Sequence, residues 1–207
     1  MLVDIVLEGD RPLLIHSQRA MNYRDPLARE LQDLNSRRGK TIEDRVRISD
    51  LEMELGLYWE EDLGPFMPLI NLKRCIQDGG KHFKLGTHVQ QALRSLAGQD
   101  KAPILYEGPR DIKELVEDSR FRDVRTVGIA GRTVERTRPI FHQWKIGARF
   151  VLDEDRLDLH KLKSCIDRAG SYIALGDYRP EYGTFAASLK EVKLDASNTG
   201  FGLAQTV

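Results

Sequence analysis

Between residues 142 and 194 the hydrophobic period of the chain changes three times. HQWKIGARFVLD alternates, which places Trp144, Ile146, Ala148 and Phe150 on one face of a strand. DLHKLKSCIDRAG then repeats at helical spacing through Leu159, Leu162, Ile166 and Ala169. GSYIALGDYRPEYGTF, residues 170–185, breaks both periods with three glycines, a proline and three tyrosines, and TFAASLKEVKL restores alternation. Gly170 reads as the cap of the helix before it. Strand, helix, glycine-rich loop and strand in that order require a layer of helices on a sheet.

The N-terminal part supplies the other half of such a layer. Val3, Ile5 and Leu7 alternate with Asp4, Val6 and Glu8 as a first strand, and RPLLIHS reads as a short extended piece. Asp25 caps a helix with Pro26 at its first position and Leu27, Leu31 and Leu34 along it, stopped at Gly39. Thr41 opens a second helix with Asp44 three residues on. Its apolar positions Ile42, Val46, Leu51 and Leu55 face one way, up to Gly56. After an extended Gly64–Pro68 loop, Leu69, Leu72, Cys75 and Ile76 form a helix ended by Gly79-Gly80. Ile104–Glu107 reads as a strand and DIKELVEDSRF as a short helix. DVRTVGIAGRTVERTRPIF reads as two strands about a turn at Ala130-Gly131.

The natural assembly is α+β, a ferredoxin-like (RRM-like) βαββαβ core. One domain over residues 1–195 is expected, with a helical hairpin inserted at 25–57 and a basic β-hairpin at 120–141. Residues 196–207 read as a flexible tail. At 207 residues folding hides roughly 70% of the surface of the unfolded chain, so a core needs no staples. Cys75 and Cys165 have no CxxC or ligand-spaced histidine and read as reduced core residues. No apolar run nears the ~20 residues that span a bilayer, and MLVDIVLEGD lacks the pattern of a signal peptide. No membrane partner is expected, and the location expected is the cytoplasm.

The net charge of zero hides segregation. From Thr41 to Leu63 eight acidic residues face two arginines, and from Arg120 to Arg149 seven arginines and Lys145 face two acids. A polyanionic partner is therefore compatible with the neutral total.

Three stretches resemble the RAMP superfamily, ferredoxin-fold proteins that include the RNA-coating backbone subunits of CRISPR effector complexes. PLLIHS at 12–17 resembles the exit of the family's first strand. GPFMPLINLKRCIQDGGK at 64–81 is similar to the proline-bearing loop that feeds the first core helix. Met67-Pro68 and Leu72-Lys73 match its ends, while Leu69 stands for a glycine and Asn71 for a serine. GSYIALGDYRPEYGTF resembles the C-terminal glycine-rich loop through Gly176, Arg179 and Gly183. The chain also looks like uncharacterised proteins encoded by bacterial viruses. The resemblance implies RNA or single-stranded nucleic acid as partner, assembly as a homo-oligomer or with CRISPR-type complex subunits, and a bacterial or phage-infected cytoplasm. It also brings Lys73 into the contact set.

Taken residue by residue, Gly176 and Gly183 either permit turns with positive φ or leave room for a phosphate backbone, with Arg179 supplying charge and Tyr172, Tyr178 or Tyr182 stacking on bases. On a strand, Arg132, Arg136 and Arg138 share one face. They meet solvent, the acidic helical hairpin, or phosphates. The histidines show no metal-ligand spacing, and no P-loop, GxGxxG or GxSxG occurs, so no metal, cofactor or hydrolase triad is expected. The leading expectation is a non-enzymatic binder using Arg132, Arg136, Arg138, Arg179, Tyr178, Gly176, Gly183 and Lys73 in one groove. One alternative is a phage-derived interaction module that docks through its acidic hairpin as a mimic or inhibitor of a CRISPR complex. Another is an RNA endonuclease with His16 as general base.

Overall fold

The structure, a computed structural model, describes residues 1–129 and 132–192. It is α+β. Seven of the described strands form one sheet with the order β10 (Phe185–Val192), β1 (Leu2–Gly9), β9 (Lys145–Leu152), β6 (Lys101–Leu105), β4 (Gly64–Pro68) and β3 (Trp59–Glu60). The seventh, β5 (Leu93–Ser95), pairs with the far end of β9. Every pairing in this sheet is antiparallel. Period 2 does the sorting: Val3, Ile5 and Leu7 are fully buried and lie opposite Phe150, Ala148 and Ile146. Asp4 and Arg149 also face one another across the strands, as an ion pair at 2.6 Å.

Helices α3 (Leu69–Lys81) and α6 (Leu159–Arg168) bury Leu69, Leu72, Cys75 and Ile76 and Leu162, Cys165 and Ile166 in the same core. Gly79 and Gly80 lie inside α3, contrary to their reading as a stop. A Cβ on Gly79 would fall on the Cys165 carbonyl oxygen, so these residues let the two helices touch. Burial raises the Cys75 thiol to about 12 and the Cys165 thiol to about 11, which keeps both protonated; neither forms a disulfide.

The helical hairpin is present as α1 (Pro26–Ser36) and α2 (Ile42–Gly56), with Asp25 and the Thr41–Asp44 capping box at their starts. Its own small core joins Leu31 and Leu34 to Ile48, Leu51 and Leu55. Ile42 and Val46 are exposed, because α2 buries two faces near its C-terminal end, one on α1 and one, through Met53, on the main core. A single apolar stripe therefore misreads it.

The basic hairpin is β7 (Arg122–Ile129) with β8 (Arg132–Phe141), and β2 (Leu13–Leu14) extends it to a second sheet. Its turn at Ala130-Gly131 and the tail 196–207 lie outside the described residues. Residues 64–68 form a strand instead of a loop. The expected strand at 104–107 begins earlier, at Lys101. Helix α4 (Gly86–Ala92) and β5 were not anticipated, and α5 (Ile112–Glu117) was.

Candidate nucleic-acid interface

Helix α6 does not end at Gly170. It continues into a π-helical turn, Ala169–Ile173, and Ala174 takes the positive φ of 64° that reverses the chain. Gly170 is small for another reason: a Cβ there would fall on the Phe185 carbonyl oxygen. The loop then binds its own chain. Leu175 N–H donates to the Gly183 carbonyl at 2.9 Å, Gly183 N–H to Pro12 at 2.8 Å and Asp177 N–H to Leu14 at 2.8 Å. Gly176 and Gly183 have φ of 85° and 73°, and added Cβ atoms would fall on the carbonyls of Leu14 and Leu175. The space a side chain would take at these glycines is filled by backbone, so the turns themselves require glycine at both positions. Ala174 and Tyr178, at φ 51°, hold the strained left-handed conformation without being glycine.

The β-ribbon and the loop do converge. Arg138 Nε lies 3.0 Å from Asp177 Oδ2. Arg125 sits between the rings of Tyr178 (4.5 Å) and Tyr182 (4.9 Å), donates to the Tyr182 hydroxyl at 3.0 Å, and forks onto Asp123 at 2.5 and 2.6 Å. The Asp123 carboxylate holds the Arg125 guanidinium well above its ordinary range. Arg136 lies directly opposite Arg125 across the strands and reaches Glu52 of α2 at 2.8 Å. Glu52 also accepts the Thr137 N–H at 2.8 Å, and Arg122 pairs with Asp50 and Ser49.

The arginines of the ribbon are therefore not the open cationic row expected. Arg138 meets the loop through Asp177, and Arg136 is paired with Glu52, so the acidic helix is the counter-charge of Arg136 within the same chain. Glu52, with 9% of its side chain exposed, is not available to dock a partner. Burial raises its pKa, against the pull of the Thr137 N–H and Arg136. Arg132 pairs with Ile129 through the backbone, and its side chain lies outside what the structure describes.

Open cationic charge lies elsewhere. Asn71, Arg74, Asp78 and Lys81 recur at +3, +4 and +3 along α3, a single polar stripe. Facing it is the loop from Leu175 to Pro180. Between them are two adjoining concavities, about 230 Å³ and about 640 Å³, which share Gly176, Asp177 and Arg179. From Asn71 to Lys81 the helix rises about 15 Å, which sets the length of the groove. Arg179 is exposed, and no ion pair or hydrogen bond to it occurs among the described residues. Arg74 and Lys81 have side chains 67% and 60% exposed and flank Asp78 at 3.7 and 2.6 Å.

His16 closes one end of the smaller concavity, beside Tyr58 and Asn71, whose amide donates to the Tyr58 hydroxyl at 3.4 Å. Partial loss of water around its ring lowers the His16 pKa, with Arg138 and, less, Arg136 adding to the effect against Asp177, although the residue as a whole stays exposed. Lys73 is not in the groove. It is half-buried, and burial followed by the charge of Arg94 lowers its pKa. The residue that faces the groove is its neighbour Arg74. Lys81 lies beyond Gly79-Gly80 and joins the stripe only because the helix continues through them, whereas the 71/74/78 spacing that carries Arg74 is already present in the sequence.

No protein-family model matches the chain, and no curated protein matches it. Among the described residues no helix is long and apolar enough to cross a membrane, and no three His, Cys, Asp or Glu side chains gather to hold a metal ion.

Proposed function

We propose that the protein binds single-stranded nucleic acid in the groove between α3 and the glycine-rich loop, without catalysis. Arg179, Arg74 and Lys81 contact phosphates. Arg125 and Arg138 act one step back, holding the loop that carries Arg179, while Arg136 ties the ribbon to α2. The observation behind this reading is the contrast between Arg179, exposed where the two concavities join and without an ion pair among the described residues, and Arg125, Arg136 and Arg138, each bound to a carboxylate. A surface cation with no carboxylate, beside a second and a third along one helix, suits a chain of phosphates better than a single anion. The order β10-β1-β9-β5/β6, antiparallel throughout with α3 and α6 in one core, supports a ferredoxin-like core of strand order 4-1-3-2. We read the chain as RAMP-like on that order and on the three stretches named above. Protein freed of copurifying nucleic acid shifts a single-stranded oligonucleotide at low salt, and Arg179→Glu weakens the shift. No shift with any single strand overturns the proposal.

His16 supports a second reading, RNA cleavage. Its imidazole lies in the same groove, and its lowered pKa leaves it neutral and able to accept a proton near pH 7. In that case His16→Ala loses cleavage of a single-stranded RNA and keeps its binding; absence of cleavage by the wild type removes this reading.

A further inference from the structure

Two tyrosines line the larger concavity, and each carries an arginine on its ring. The guanidinium carbon of Arg168 lies 3.6 Å from the ring centroid of Tyr172, and that of Arg125 lies 4.5 Å from Tyr178. Tyr172 is 59% exposed, a large aromatic surface for a residue held in a π-helical turn. Such turns recur at functional sites, as do residues in strained backbone such as Tyr178. Lys81 and Arg179 line the same space.

We propose that Tyr172 and Tyr178 form a seat for one base of the bound strand, resting on the reading above that the groove takes nucleic acid. A guanidinium stacked on one face of a ring fixes the ring before the ligand arrives, so less side-chain freedom is lost on binding. The other face of the ring is then a flat, polarisable surface, and every base has a π-face to lay on it. Lys81 and Arg179 are placed for the phosphates on either side of that nucleotide. A duplex, whose bases stack on each other, cannot offer one, so the seat selects single strands. The concavity, about 640 Å³, is a shallow depression open to solvent, on which a base can be laid without being enclosed.

The test compares a short deoxyadenosine homopolymer with the same oligomer made abasic, which keeps the phosphates and removes the bases. Wild type, Tyr172→Phe and Tyr172→Ala are measured by fluorescence anisotropy. The seat predicts that the abasic oligomer binds wild type about tenfold more weakly or worse, the loss of at least one stack. It predicts that Tyr172→Ala loses a similar factor on the natural oligomer and nothing further on the abasic one, while Tyr172→Phe keeps its affinity. Equal binding of the two oligomers to wild type, or equal losses by Tyr172→Ala on both, overturns the base seat and leaves phosphate binding standing. No binding of either oligomer by wild type overturns both.

Discussion

Arg138 on the β-ribbon and Asp177 in the glycine-rich loop meet at 3.0 Å across 39 residues of sequence. Together with Arg125 between Tyr178 and Tyr182, this contact fastens the ribbon to the loop that presents Arg179. Arg138 is 16% and Asp177 36% exposed at the side chain, so solvent weakens the pair. A double-mutant cycle of Arg138→Ala and Asp177→Ala in urea unfolding is expected to give a coupling of about 1 kcal/mol. Strict additivity of the two substitutions removes the fastening.

The same charge acts on His16. In the free protein the His16 ring, followed by NMR, titrates below about 6.5, the ordinary histidine value. Arg138→Ala raises its midpoint, since a repelling cation is removed. Histidine that gains protons less readily when folded makes stability fall as the pH drops below the ordinary value, where the unfolded chain binds the proton first. A His16 midpoint at or above the ordinary value, unmoved by Arg138→Ala, contradicts the geometry.

Glu52 has the opposite sign. Its folded pKa is raised, so the folded state holds a proton the unfolded chain has released, and stability falls as the pH rises just above the ordinary glutamate value of roughly 4.3. Glu52→Gln removes that slope. Glu52→Ala leaves Arg136 and the Thr137 N–H without their acceptor and is expected to cost about 3 kcal/mol. A loss under about 0.5 kcal/mol, the scale of a surface change, shows that α2 does not hold the ribbon.

The glycines of the loop separate structure from binding. Gly183→Ala puts a Cβ on the Leu175 carbonyl and is expected to destabilise by more than about 2 kcal/mol, whereas Gly39→Ala, also at positive φ but in open space, costs about 1 kcal/mol. A Gly183→Ala protein of full stability that no longer binds nucleic acid would return this glycine to the role of a phosphate approach.

Much of the framework was legible in the sequence. Strands β1, β9 and β10 and helices α1, α3 and α6 are set by local periodicity and caps, which need only neighbouring residues. The destinations of the charges were not legible. Arg136 finds Glu52 84 residues away and Arg122 finds Asp50 72 away, and no spacing rule encodes such partners. The glycines misled for a related reason. Gly79, Gly80 and Gly170 read locally as helix stops, but each is small because another segment presses on it. Placing Lys81 on the stripe required knowing that α3 runs through its glycines, whereas Arg74 needed only knowledge of which segment faces that side of the helix.

The most direct measurement is the salt dependence of binding to a single-stranded oligonucleotide, for wild type and for Arg74→Glu with Arg179→Glu. If the groove holds phosphates, the double variant binds at least about tenfold more weakly, and the magnitude of its log–log salt slope falls by about 1.4, two contacts at about 0.7 each. Wild-type affinity and slope unchanged by the double variant contradict the groove.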